Sequence, residues 1–270
     1  MTMVSFDPAE FWRERLTATS ADLDAVGHRS LGPAYNAFLY RRREEALSDT
    51  LLSLGVKPES SCILDVGCGS GYWVDFWYRL GVRRLVGLDL SSAQVERLRE
   101  RHAGFRFLAG DITTLPSSGL FESHFDLVTL FDVLYHIVDD AKASRALTTI
   151  SRVMGPRSTL LVFDQIVERD VSLRAHVKFR GRSTFVRLLE QAGLAVTDEI
   201  PLFVWLAPPV FGTRGLDLVV QAGYAACGAL MRRSRRLGTV VGRSLFRLDR
   251  ALLRRGIQTP NHRLLVIAKE

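Results

Sequence analysis

The sequence predicts an α/β protein built on a doubly wound, mostly parallel sheet. Three observations predict it. Short apolar runs alternate with helical patterns through the middle of the chain, the order that parallel strands with crossover helices impose. A glycine-rich loop, Asp65-Val66-Gly67-Cys68-Gly69-Ser70-Gly71, follows the first apolar run and opens a helix. Acids stand at the ends of the second and third runs, at Asp89 and Asp111.

The elements follow in order. Cys62, Ile63 and Leu64 form the first strand, and Tyr72 to Leu80 the first crossover helix. Glycines are needed between them where the backbone takes positive φ or a ligand lies against it, and the helix start offers free N–H groups. The pattern D-x-G-x-G-x-G is not the dinucleotide spacing G-x-G-x-x-G. A carboxylate beside the loop would repel a diphosphate, but suits a ligand carrying an amino acid and a sulfonium. Leu85 to Leu90 is the second strand, Phe105 to Ile112 the third, and Phe125 to Ile137 the fourth strand with its loop. A helix over Val138 to Met154 is expected to end at Gly155-Pro156, before a fifth strand at Thr159 to Asp164. Gly181 to Leu194 is read as a helix ending near Gly193, Ala195 to Trp205 as the sixth strand, and Leu264 to Ala268 as the seventh. Nearly sixty residues part the last two strands, too many for a plain loop.

The glycine loop, Asp89, Asp111 and the Phe131-Asp132-Val133-Leu134-Tyr135-His136 segment together resemble the motifs of the class I S-adenosylmethionine-dependent methyltransferases. The resemblance covers roughly Ser61 to Leu206 and the final strand. It implies a Rossmann-like sheet of seven strands with the last one antiparallel, an N-terminal helical cap over residues 1–57, a cofactor-binding core over 58–205, a basic helical insertion over 206–262 and the last strand over 263–270. It implies S-adenosyl-L-methionine as cofactor, with Asp65, Gly67, Cys68, Gly69 and Gly71 at the loop. Asp89 with Leu90 would serve the ribose, Asp111 with Ile112 the adenine, and Phe131 with Asp132 the methyl side. Cys68 is assigned no chemistry of its own. Tyr35 and Tyr40 could shield the sulfonium, since aromatic faces attract cations, or could simply pack the cap.

Methyl transfer is an in-line displacement that expels a neutral thioether. It needs alignment, for an oxygen nucleophile a general base, and no metal. His136, with Tyr135 beside it, is the leading candidate for catalysis; its bland alternative is a histidine that fixes the loop. His176, Lys178, Arg180 and Arg182 either face the acceptor or stand as surface charges.

Hydrophobic residues make up 47% and charged residues 24%, an ordinary globular balance. Three cysteines, Cys62, Cys68 and Cys227, suit neither a disulfide framework nor a zinc site. The first fifteen residues lack a signal-peptide apolar run, and no stretch is long enough to span a membrane. A cytoplasmic setting is expected, with peripheral membrane contact as an option. The net charge of +7 is concentrated in residues 205–270, where 12 basic residues face 3 acidic ones. The near-neutral core argues against a nucleic-acid groove.

In the insertion, Leu216, Val219, Val220, Gly223, Cys227 and Leu230 recur at helical spacing. A second helix carries Val241, Leu245, Leu248 and Leu252 on one face and Arg243, Arg247, Arg250 and Arg254 on the other. The arginine face is either solvated or, across the 214–255 helices, a contact for anionic membrane or a lipid-like acceptor. The leading function is methylation of a small-molecule or lipid-like acceptor at oxygen. The alternatives are carbon methylation of a prenyl or polyketide-like acceptor, and a cofactor-binding partner protein without turnover.

Overall fold

The computed structural model describes residues 11–12, 28, 30–115 and 124–270, without the side chain of Arg214. The expected cap over 1–57 therefore lies only partly within it. Its main described element is α1 (Pro33–Ser53), which starts from Gly32 at φ 78° with proline in the first turn, a position that tolerates the missing N–H.

The core alternates β1 (Cys62–Val66), α2 (Tyr72–Arg79), β2 (Arg84–Asp89), α3 (Ser92–Arg101), β3 (Arg106–Ala109), β4 (Phe125–Phe131), α4 (Asp140–Val153) and β5 (Met154–Asp164). A hairpin of β6 (Val171–Arg174) and β7 (Val177–Phe179) follows, then α5 (Arg182–Glu190) and β8 (Leu194–Pro201). The insertion is α6 (Arg214–Arg233) and α7 (Arg235–Arg254), and β9 (Arg263–Lys269) closes the chain. The seven-stranded sheet has the order β3-β2-β1-β4-β5-β9-β8. Strand β9 runs antiparallel to both neighbours, as the resemblance implied. The order reverses between β1 and β4, and a crevice opens at the carboxyl ends of such strands.

Periodicity explains the crossover helices. Helix α4 buries Ala143, Ala146, Leu147, Ile150 and Val153, one stripe at helical spacing. Asp139 caps it, accepting the Lys142 N–H at 2.8 Å. Each large side chain buried in this way stabilises the fold by about 1.5–3 kcal/mol.

Three expectations need correction. Gly155-Pro156 does not precede β5 but lies inside it: α4 passes directly into the strand, and Met154 already pairs with Phe125. Pro156 is exposed there, near the strand start, where a missing donor is tolerated. The sixth strand stops at Pro201, not Trp205. The buried run beyond it leaves the sheet because Asp249 of α7 accepts the N–H groups of Val204, Trp205 and Leu206, at 2.8, 2.9 and 2.9 Å. The β6–β7 hairpin was not foreseen at all; its seven residues hold only a short alternation.

The insertion packs on α1. A Cβ at Gly242 would sit 2.5 Å from the Phe38 ring, and one at Gly228 only 1.9 Å from the Ser30 carbonyl oxygen. These two glycines let α7 and α6 approach closely. The stripes read from the sequence are nevertheless offset. In α7 the most buried residues are Gly238, Gly242, Phe246 and Asp249, with Val241 and Leu245 only partly covered. In α6, Leu216, Val219, Gly223, Cys227 and Leu230 are exposed, while Asp217, Gly228 and Met231 face inwards.

Candidate active site

At the switch point the β1–α2 loop folds back on β2. The N–H groups of Gly67 and Cys68 both donate to the Leu88 carbonyl, at 2.7 and 3.1 Å. Gly67 takes φ 77°, and a Cβ there would lie 2.3 Å from a Val133 methyl. The loop therefore needs glycine for conformation and for space. Asp89 is held by the Gly69 N–H at one oxygen and the Ser91 N–H at the other, both at 2.8 Å. Burial raises its carboxyl above the ordinary range, against those two hydrogen bonds. Asp111 accepts the Thr113 N–H at 2.8 Å through one oxygen.

Gly67, Cys68, Gly69, Asp89, Leu90, Asp111, Ile112, Phe131 and Asp132 all line one cavity of about 440 Å³. Bare glycine backbone, two strand-end acids and apolar Ile112 and Phe131 fit S-adenosyl-L-methionine, with its amino acid, ribose and adenine along this edge. Three sequence-derived cofactor residues do not line the cavity. Asp65 lies beneath the loop, fully buried, accepting the Thr129 hydroxyl at 2.7 Å. Its second oxygen has no partner, and burial pushes its carboxyl up to about 7. Gly71 caps α2 at φ 86°, where a Cβ would meet Arg101 and Leu98, so it serves close packing. Tyr35 is turned away: its hydroxyl donates to the Leu206 carbonyl at 2.8 Å. Tyr40, one turn and a half further along α1, lines the cavity instead.

The cavity continues past Phe131 and Asp132 to a second wall that includes Trp12, Phe179, Phe203, Ala207 and Leu218. The junction is built around Asp132. It takes φ 60°, the one positive φ at a non-glycine residue among those described, a conformation in which Asp is enriched. Arg43 of α1 grips its carboxylate with two nitrogens, at 2.5 and 3.1 Å. Burial raises the Asp132 carboxyl, opposed by the Arg43 charge and by the Tyr135 hydroxyl. Tyr135 is half-buried beside that carboxylate, and burial pushes its phenol well above the ordinary value. It is a neutral hydrogen-bond donor, its hydroxyl committed to Asp132.

His136 sits on the short 3-10 turn Leu134–His136 after β4 and lines the cavity. Its Nδ1 lies 2.8 Å from the His176 carbonyl oxygen. A carbonyl only accepts, so Nδ1 carries a proton and donates it there. Trp12 meets the ring edge-on at 4.7 Å, and His176 stacks at 5.9 Å. Of the four residues left open after strand five, His176 alone lines the cavity. Arg180 is buried and holds the turn from behind, donating to the carbonyls of Leu134 and Ile137 at 2.9 and 2.5 Å and to Asp140 at 3.0 Å. Lys178 pairs with Asp140 and Asp170, and Arg182 with Glu199.

His262 was missed. It enters the cavity wall from the residue before β9, its ring 6.2 Å from that of Tyr135. Burial, then the Arg43 charge, pull its pKa well below the ordinary histidine value, so it is a neutral imidazole. No motif or period marks it. Four of the six histidines of the chain, at 28, 136, 176 and 262, line this one cavity.

Residues 63–157 match the family model described as a methyltransferase domain. A probable S-adenosylmethionine-dependent methyltransferase of Mycolicibacterium smegmatis is 28% identical over 193 residues, 69% of this chain and 71% of that relative. The chain carries an S-adenosylmethionine-dependent methyltransferase domain. This methyltransferase also matches a malonyl-[acyl-carrier protein] O-methyltransferase of Pectobacterium atrosepticum, 40% identical over 68 residues. That match spans a quarter of either protein, 25% of this chain and 26% of the relative. The fold of the methyltransferase is that of a putative sarcosine dimethylglycine methyltransferase from Galdieria sulphuraria, with a TM-score of 0.60 at 15% identity over 97% of this chain and 98% of that one.

Proposed function

We propose that this enzyme methylates a hydroxyl oxygen of a small, largely apolar acceptor. The observation that carries the reading is the single cavity running from the glycine loop to an aromatic wall, with His136 at the junction. The cofactor supplies a methyl group already activated on a sulfonium. The chain supplies the rest. Gly67, Gly69, Asp89 and Asp111 fix the donor, while Phe179, Phe203 and Leu218 hold the acceptor body and exclude water. The lone pair on His136 Nε2 receives the hydroxyl proton as the new oxygen–carbon bond forms. Arg180 fixes the turn that aims the ring, and neutral His262 offers the acceptor a hydrogen bond. The name of the O-methyltransferase relative supports oxygen. Free thiols at Cys62, Cys68 and Cys227 support a reducing, cytoplasmic setting.

The test is turnover of methyl-labelled S-adenosylmethionine with hydroxylated aromatic and prenyl-chain acceptors, with product analysis of the labelled atom. His136→Gln is expected to lower kcat by about 10²–10⁴-fold while S-adenosylhomocysteine still binds. Unchanged turnover in that variant removes the base assignment. Label on carbon replaces oxygen transfer with the C-methyl reading.

A further inference from the structure

Helix α6 presents an apolar face to the outside. Leu216, Val219 and Leu230 are 46%, 70% and 57% exposed, and Ala226 and Cys227 lie exposed between them. No charged residue occurs between Asp217 and Arg232, and Asp217 is fully buried. From Leu216 to Leu230 the strip runs about 21 Å along the helix. A continuous apolar strip of that length marks an interaction surface.

Charge identifies the partner. At the end of α6 stand Arg232 and Arg233, followed at the start of α7 by Arg235 and Arg236, all exposed. Arg243 and Arg247, further along α7, are exposed as well. None of Arg233, Arg235, Arg236, Arg243 and Arg247 is paired with a carboxylate among the described residues. An apolar strip bordered by arginines is the pattern of an element lying in the plane of an anionic lipid surface. Among the described residues no helix is long and apolar enough to cross a membrane, so the contact is peripheral.

The position of the strip gives the contact a purpose. Leu218, on the same helix, is 55% exposed and also lines the cavity, as does Gln221. Helix α6 is therefore part of the cavity rim. We propose that the outer face of α6 docks on an anionic phospholipid bilayer, with Arg233, Arg235 and Arg236 at the headgroups, so that the cavity mouth faces the lipid from which an amphiphilic acceptor enters. The purpose of the docking rests on the acceptor class proposed above; the docking itself requires no acceptor.

The test is co-sedimentation of the full chain with vesicles of phosphatidylcholine alone and of phosphatidylcholine mixed with phosphatidylglycerol. Binding to the mixed vesicles that weakens with salt is expected. Val219→Glu/Leu230→Glu should lose about tenfold or more of that binding while S-adenosylhomocysteine binding and solution mass stay unchanged. Arg233→Glu/Arg236→Glu should lose it selectively at low salt. No wild-type binding at low salt overturns the proposal, as does undiminished binding by both variants or equal binding to neutral vesicles. A wild-type dimer that Val219→Glu/Leu230→Glu splits, without vesicle affinity, assigns the strip to a second copy of the chain. Turnover of a water-soluble hydroxylated acceptor without vesicles reads the proposed chemistry separately, so the two readings fail independently.

Discussion

Helices α4 and α6 carry the same kind of pattern and use it in opposite ways. Helix α4 repeats Ala143, Ala146, Leu147 and Ile150 and hides every one. Helix α6 repeats Leu216, Val219, Gly223 and Leu230 and exposes every one. The inward face of α6 is partly polar instead, and it binds neighbouring backbone. Asp217 takes the Phe211 N–H at 2.6 Å, and the Tyr224 hydroxyl donates to the Trp205 carbonyl at 2.5 Å. Periodicity locates a face; what the face meets is settled by the elements that arrive from elsewhere in the chain. For α4 that is a sheet, which demands apolar contact. For α6 it is a loop with free backbone groups, which demands hydrogen bonds.

The contrast can be broken at several points. The largest effect is expected where a covered helix supplies charge. Arg43→Met strands the largely covered Asp132 carboxylate, and denaturant unfolding should show a loss of up to about 3–5 kcal/mol. Adding Asp132→Asn should restore part of it, since the uncompensated charge is then gone. Leu147→Ala on α4 should cost about 2–5 kcal/mol by the same measurement, as a buried leucine is replaced by a cavity.

A smaller effect depends on pH. The Asp65 carboxyl, raised to about 7 in the folded chain, contributes stability that is fully present below its ordinary value. That contribution is lost as pH rises through about 7. Asp65→Asn keeps an acceptor for Thr129 and removes the titration. Its thermal midpoint should therefore gain on that of the wild type between about pH 5 and about pH 8; a constant difference would show that Asp65 titrates lower than its burial requires. The smallest change belongs to the uncovered face. Val219→Ser should alter unfolding stability by no more than about 0.5 kcal/mol. A loss on the scale of Leu147→Ala would mean that something already covers α6 in solution.

What was legible in the sequence was local in the chain. The glycine loop, Asp89 and Asp111 are adjacent to the strands that carry them, so spacing alone places them at one sheet edge. His136 was legible for the same reason, five residues past the end of β4. Arg43 and Asp132 lie 89 residues apart, and nothing near either position announces the other. His262 reaches the cavity only because β9 inserts between β5 and β8, a pairing decided by the whole sheet. Strand six was overread because its apolar run continues to Leu206; the carboxylate that ends the pairing stands 43 residues later. The hairpin β6–β7 is too short for alternation to distinguish it from loop.

The three amides held by Asp249 have a bearing on how this enzyme can change over evolution. One side chain on the outer helix pair fastens the backbone of residues 204–206, between Phe203 and Ala207 of the cavity wall. The lining of the pocket and the outer helices thus share a single rivet. A core grafted without its insertion would keep the glycine loop with its strand-end acids and lose the fixed shape of that cavity wall. The shape of the cavity is thus inherited with the periphery, and a chimera that exchanges the insertion exchanges the fastening of residues 204–206 along with it.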